Sequence, residues 1–170
     1  MMKQDAITLK RIELLHPALR EEAKKIYAEI CQALQGRAMC RFSHTLRTFK
    51  EQDALFAKRP KVTNARGGQS FHNYGCAIDI VLLKDTDGNG TYETASWETN
   101  VDFDGDGKAD WMEVVAIFEK HGWQWGLINR KGKRYDLPHF QKTFGHKHYS
   151  TLLAKYQAKD FIPGTTYVNL

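Results

Sequence analysis

The 170-residue sequence predicts an α+β fold, a small antiparallel sheet with flanking helices. Three observations carry this. One long segment places its apolar residues on a single helical face. Several short apolar or alternating runs have strand length. An acidic, glycine-rich stretch at 84–113 interrupts these core segments and reads as an insertion within one domain spanning 1–170.

Residues 17 to 35 read as a helix. Pro17 suits the first turn, where a backbone N–H is not needed. Leu19, Ala23, Ile26, Tyr27, Ile30 and Leu34 recur at helical spacing, and Gly36 is a stop. In AMCRFSHTLR, 38 to 47, Ala38, Cys40 and Phe42 alternate as in a strand. Thr48 and Glu51 form a capping box that opens a short helix to about Lys58. Residues 60 to 70 carry Pro, Asn and paired Gly and read as loop. CAIDIVLL, 76 to 83, is a strand central in the sheet. A helix follows from Asp110 to about His121, ended by Gly122. WQWGLI is a strand. YDLPHF is extended or turned chain, because Pro138 disfavours the α region at Leu137. STLLAKYQAK begins the tail as a short helix, and FIPGTTYVNL is a candidate last strand.

The 42% hydrophobic content can fill a core, and 12% aromatic residues argue against disorder. No apolar run approaches the roughly 20 residues that span a bilayer. The N-terminus is charged throughout and lacks a signal-peptide pattern, so synthesis in a cytoplasm is expected. The net charge of +5 suits nucleic acid, anionic membranes or acidic wall polymers without choosing among them. The densest basic runs, 58–61 and 129–134, read as solvated surface. No helix-turn-helix, RNP or zinc-finger pattern supports a nucleic-acid partner. The three cysteines lack paired spacing; no disulfide framework is expected, and Cys31 and Cys76 read as small buried hydrophobes.

One stretch, SFHNYGCAIDI at 70–80, raises the question of chemistry. Asp79 interrupts an apolar run, which is costly unless the carboxylate is paired or metal-bound. His72 precedes it across Gly75, which permits a sharp turn toward a common point. A basic partner for Asp79 would explain the same residues. A hydrolytic zinc takes three protein ligands and keeps a position for water. His139 is a candidate third ligand, with Asp136 beside it in D-L-P-H. Positions three apart on a regular strand face opposite ways, so the pair requires a bend, which Pro138 makes plausible. His146 and His148 are rivals by spacing alone.

Ser70, His72, Gly75, Ala77 and Asp79, as S-x-H-x-x-G-x-A-x-D, resemble the signature of the M15 zinc peptidases. D-x-x-H-F, Asp136 to Phe140, resembles that family's second motif, and L-R-T-x-x-x-Q, Leu46 to Gln52, an upstream one. The three fall in the family's order over residues 46 to 140. The resemblance implies a hedgehog/D-Ala-D-Ala peptidase-like fold with His72, Asp79 and His139 as zinc ligands. It implies Asp136 as catalytic base, Arg47 as the cation polarising the scissile carbonyl, and Ser70 as a support for a ligand. The implied activity is endolysin-like hydrolysis of the L-alanyl-D-glutamate bond of cell-wall stem peptides. That activity comes with no nucleic-acid or membrane partner, a monomer, and access to the wall by holin-type release. The alternatives are a D-alanyl-D-alanine carboxypeptidase or dipeptidase, with Arg66, Arg130 or Arg134 binding a terminal carboxylate, and a calcium-dependent non-catalytic wall-binding module. One departure stands beside the third ligand: Trp125-Gly126 is followed by the basic stretch LINRKGKRYD.

Residues 102 to 113 fit the calcium-loop pattern D-x-D-x-D-G-x5-E. Asp102, Asp104, Asp106, Asp110 and Glu113 offer side-chain oxygens, Lys108 its backbone carbonyl, and Gly107 the turn. Ala109 is small for its position. Asp85-Thr-Asp87-Gly-Asn89-Gly90 begins alike, but its twelfth position is Ser96. Calcium is expected to order residues 84 to 113 beside the Asp79 strand.

Overall fold

The computed structural model describes residues 4–170; the first three residues of the predicted domain range lie outside the described residues. Five α-helices accompany five strands: α1 (Ala6–Ile12), α2 (Arg20–Ala33), β1 (Ala38–His44), α3 (Phe49–Ala57), β2 (Ala77–Lys84), β3 (Thr94–Ser96), α4 (Asp110–Lys120), β4 (Gln124–Ile128), β5 (Arg134–Gln141) and α5 (Tyr149–Gln157). Short 3-10 turns at Pro17–Leu19 and Phe71–Tyr74 lead into α2 and β2.

All strand pairings are antiparallel, in the order β1-β2-β5-β4. β1 runs along one edge of β2, from Ala38↔Lys84 to His44↔Asp79. The other edge of β2 is shared. β5 pairs with its first residues, Ala77↔Gln141 to Asp79↔His139, and β3 pairs with its last, Leu82↔Ser96 to Lys84↔Thr94. β2 is thus flanked on both sides and buried along nearly its whole length, which fits an apolar run at 76–83 that only Asp79 interrupts. The segment 84–113 is not merely appended, since it supplies β3 to the sheet and Trp111 to the core.

The helical stripe of α2 (Ala23, Ile26, Tyr27, Ile30) packs inward with Leu19 and Leu34 at its ends. Facing it, α4 buries Trp111, Val114, Val115 and Phe118. Phe118 stacks on Phe140 of β5 at 4.2 Å between centroids, and Tyr27 meets Phe42 of β1 edge-on at 5.4 Å. Cys40 and Cys76 are buried and Cys31 is half-buried against the core; all three are free thiols. The capping box of α3 forms as the sequence predicts, with the Thr48 hydroxyl accepting from the Glu51 N–H and Glu51 accepting from the Thr48 N–H.

Three elements differ from the sequence reading. The β character of 38–47 stops at His44, and the tail forms only the single bridge Phe161↔Val168 instead of a strand. α1 is additional: its seven residues bury only Thr8 and Ile12, too few to show a helical period. Its fastening is polar. Asp5, 8% exposed, caps the helix by accepting from the Thr8 N–H and hydroxyl, and it accepts two further bonds from Arg41 on β1, each 2.9 Å. The Thr8 hydroxyl in turn accepts from the Phe42 N–H.

Burial pushes the Asp5 carboxyl up, but the bonds from Arg41 and Thr8 outweigh it and hold it below the ordinary aspartate value. Asp5→Ala is expected to lower stability at neutral pH by about 2–3 kcal/mol, measured by urea unfolding. Because the folded-state pKa is depressed, this contribution is present above the unfolded value and lost as pH falls through the folded one. The gap between wild type and variant should therefore narrow below about pH 4.

Candidate metal centre and catalytic cleft

The local sequence before β2 aims His72. Ser70 caps the 3-10 turn by accepting from the His72 N–H, and Asn73 closes the box. Gly75 ends the turn at φ +70°, where a Cβ would lie 2.5 Å from the His16 backbone nitrogen. Only glycine fits both the left-handed conformation and that approach. The chain then enters β2 with Asp79 four residues on.

Two imidazoles meet that carboxylate. His72 Nδ1 lies 2.7 Å from the Thr45 carbonyl oxygen. A carbonyl only accepts, so Nδ1 carries the proton and Nε2 presents a lone pair. His72 Nε2 is 2.9 Å from Asp79 Oδ1. On β5, His139 Nε2 lies 2.9 Å from Gln141 Oε1, which leaves Nδ1 as the lone-pair atom, 3.1 Å from the same Asp79 Oδ1. The ligand atoms of His72, Asp79 and His139 all lie within 4.8 Å of one another. Three electron-rich atoms face inward with their tautomers fixed from outside, and such a set fits a cation. Two imidazole nitrogens and one carboxylate oxygen suit Zn²⁺ with a position to spare.

The electrostatics agree. Burial pushes Asp79 up, but the charges and hydrogen bonds of His72 and His139 overcome it and hold the carboxyl well below the usual range. Burial opposes charge on His139, yet Asp79 and Gln141 raise its pKa. Positive charge is therefore favoured at this point.

Arg47 and Asp136 border the same cleft of about 800 Å³, together with His72, Asp79, His139 and Gln141. Arg47 Nη2 is 3.6 Å from Asp79 Oδ2, and Nη1 donates to Gln52 Oε1 at 3.1 Å. Gln52 is 1% exposed and donates to the Ala65 carbonyl, so the guanidinium is held from behind. Asp136 owes its position to a break in β5. Trp125 pairs with Phe140 and Leu127 with Tyr135, so Gly126 alone stands opposite residues 136–139. Asp136 adopts φ +55°, and the Trp125 indole donates to the Leu137 carbonyl inside the bulge. The bend that lets Asp136 and His139 share a cleft is thus this bulge, not Pro138 alone. Burial raises the Asp136 carboxyl above its ordinary value, with Asp79 adding to the shift and His139 opposing it.

Of the sequence rivals, His148 lines the same cleft and His146 does not. His146 Nδ1 bonds the Thr151 hydroxyl, and His148 caps α5 through Ser150; neither joins the three-residue group. Arg66 lies over the Phe56 ring and Arg134 over the Trp125 ring, and neither they nor Arg130 line the cleft. Sequence reasoning missed Gln141, although its i+2 spacing from His139 on one strand face was a signal.

The acidic loops fold as two similar cradles. Asp85 accepts from the Gly88, Asn89 and Gly90 N–H groups, and Asp102 from those of Gly105, Asp106 and Gly107. The predicted calcium residues form two overlapping clusters, Asp102–Asp104–Asp110 and Asp104–Asp106–Glu113. Lys108 takes part through its ammonium, 3.4 Å from Asp106 and 3.6 Å from Glu113. Burial raises the carboxyls of Asp110 and Glu113, and Glu113 Oε2 is buried with no hydrogen-bond partner among the described residues. Asp104 accepts from the Gln35 N–H, which ties this loop to the end of α2.

Comparison with known proteins agrees with this geometry. A peptidase M15 family model, described as D-alanyl-D-alanine carboxypeptidase, matches residues 63–142, a span that includes His72, Asp79, Asp136 and His139. The peptidoglycan L-alanyl-D-glutamate endopeptidase CwlK of Bacillus subtilis is 39% identical over 132 residues, covering 75% of this chain and 72% of that protein. The crystal structure of the Serratia marcescens L-Ala D-Glu endopeptidase ChiX shares the fold, with a TM-score of 0.53 and 21% identity over 82% of this chain and 88% of that one. With this motif order and this degree of likeness, the chain belongs to the M15 peptidase family.

Proposed function

We propose that this protein is a zinc-dependent peptidoglycan endopeptidase that hydrolyses the L-alanyl-D-glutamate bond of cell-wall stem peptides. The observation that carries the reading is the convergence of His72, Asp79 and His139 on one wall of an open cleft. The names of its relatives support the bond assigned. His72, Asp79 and His139 would hold Zn²⁺, which when bound would supply Lewis acidity for acidifying water and polarising a carbonyl. Asp136 accepts the proton of the attacking water and returns it to the leaving amine. Its elevated pKa suits both directions of that transfer. Arg47, fixed by Gln52, faces the oxygen on which negative charge develops. Gln141 and the Thr45 carbonyl keep the imidazole lone pairs inward. The protein is a monomer with no nucleic-acid or membrane partner in this reading, and no described helix is long and apolar enough to cross a membrane. Its working place is the cell wall, reached by holin-type release.

Calcium in the 102–113 loop is the second part of the proposal. It is favoured by the buried, unpartnered Glu113 Oε2 beside Asp104 and Asp106. A divalent cation would satisfy that oxygen and offset the crowding of carboxylates.

Four outcomes are expected. Mass spectrometry of digested muropeptides should show cleavage between L-Ala and D-Glu; release of terminal D-Ala instead would establish the carboxypeptidase alternative. His139→Ala should lose both bound zinc and hydrolysis, whereas Asp136→Asn should retain zinc and lose about 10²- to 10⁴-fold in kcat. The acid limb of kcat/KM should lie above the ordinary aspartate range, since Asp136 works ionised and its carboxyl is raised. Activity should fall as pH drops through that value with zinc content constant. Finally, calcium at about 100 times its Kd should raise Tm by about 5–10 °C, and Glu113→Gln should remove the increase. A Tm indifferent to calcium would eliminate the site.

A further inference from the structure

A glutamyl residue linked onward through one carboxyl group keeps the other free. A substrate cut between L-Ala and D-Glu therefore brings a carboxylate into the cleft on the leaving side of the scissile bond, next to the reacting atoms. Asp136 lines that cleft and repels it, whereas the charge of Asp79 is met by His72 and His139 and, in the proposed enzyme, by zinc. A cationic side chain away from the zinc ligands would offset Asp136 and hold the substrate carboxylate, and the choice is narrow. Arg47 and Lys147 are the lysine and arginine residues lining the cleft among the described residues. Arg47 is engaged by Gln52 and Asp79.

Lys147 is different. Its side chain is exposed and has no ion pair or hydrogen bond among the described residues. Its backbone is nonetheless fixed on both sides. His146 bonds Thr151 at 2.7 Å and its N–H donates to the Thr143 carbonyl. His148 caps α5 through the Ser150 N–H and hydroxyl. A flexible ammonium is thus presented to the cleft from an anchored segment, with Tyr149 beside it on the same wall.

We infer that Lys147 is a specificity-determining residue that binds the free carboxylate of the glutamyl residue following the scissile bond. The inference rests on the endopeptidase reading above. Lys147 touches no reacting atom; it selects substrate by charge, as a positioned ammonium recognises a carboxylate.

The test uses the zinc-loaded full chain and two synthetic acetyl-L-Ala-D-Glu stem peptides, one with that carboxylate free and one with it amidated. Wild type should prefer the free carboxylate. Lys147→Met should reduce the ratio of kcat/KM values by about five- to tenfold, mainly through KM. Lys147→Arg should retain the preference, and rising salt should weaken it. An unchanged ratio in Lys147→Met, or a wild-type preference for the amide, would overturn the inference. Failure of wild type to cut either peptide would instead refute the endopeptidase reading, and this inference with it.

Discussion

The antiparallel pairing of Asp79 with His139 is the constraint on which the rest of the molecule turns. A carboxylate in the central strand of a sheet costs several kcal/mol unless positive charge or hydrogen bonds meet it. β5 supplies one imidazole from directly across the ladder, and the 3-10 turn before β2 supplies the other. A slip of one residue between β2 and β5 would turn His139 to the opposite face and leave Asp79 without that partner. The aromatic packing on the other side of the sheet guards the register. Phe140, adjacent to His139, stacks on Phe118 of α4 and is fully buried. Core and site are therefore two faces of the same strand, one apolar and one bearing the candidate metal ligands.

A regular β5 would carry Asp136 and His139 to opposite sides. The bulge opposite Gly126 solves this at a local cost, an aspartate held at positive φ. Of order 1–3 kcal/mol is typical for such a residue. Gly126 makes the arrangement possible, because a Cβ there would lie 2.7 Å from the Tyr135 carbonyl oxygen. The strain sits beside the cleft, where the two carboxylates stand in different environments. The histidines hold the Asp79 carboxyl low, while burial raises that of Asp136.

The acidic segment is joined to the body of the fold at several points. β3 pairs with β2, Asp104 bonds the end of α2, Tyr92 donates to the Gly36 carbonyl, and Asp85 donates its N–H to the Arg37 carbonyl. The turn between α2 and β1 is thus held by both loops.

The sequence by itself determined the periodic elements and the chemical character of the site. The stripe of α2, the run of β2, the Thr48 capping box and the Asp79 anomaly are local, since each depends on residue types at fixed spacing within one segment. It also carried the M15 motifs. It left α1 unread because that helix is held by a polar clasp to Arg41, a residue 36 positions away. It could not choose among His139, His146 and His148, because all three have suitable side chains and spacing in the chain does not specify distance in space. Strand register made that choice, placing His139 opposite Asp79 and the other two at the start of α5. The bulge that turns Asp136 into the cleft, the Thr45 and Gln141 contacts that fix the imidazoles, and the absence of Arg66, Arg130 and Arg134 from the cleft wall were likewise decided by the tertiary structure. Each depends on how separate segments pack, and that is set by the shared burial of the sheet and its helices.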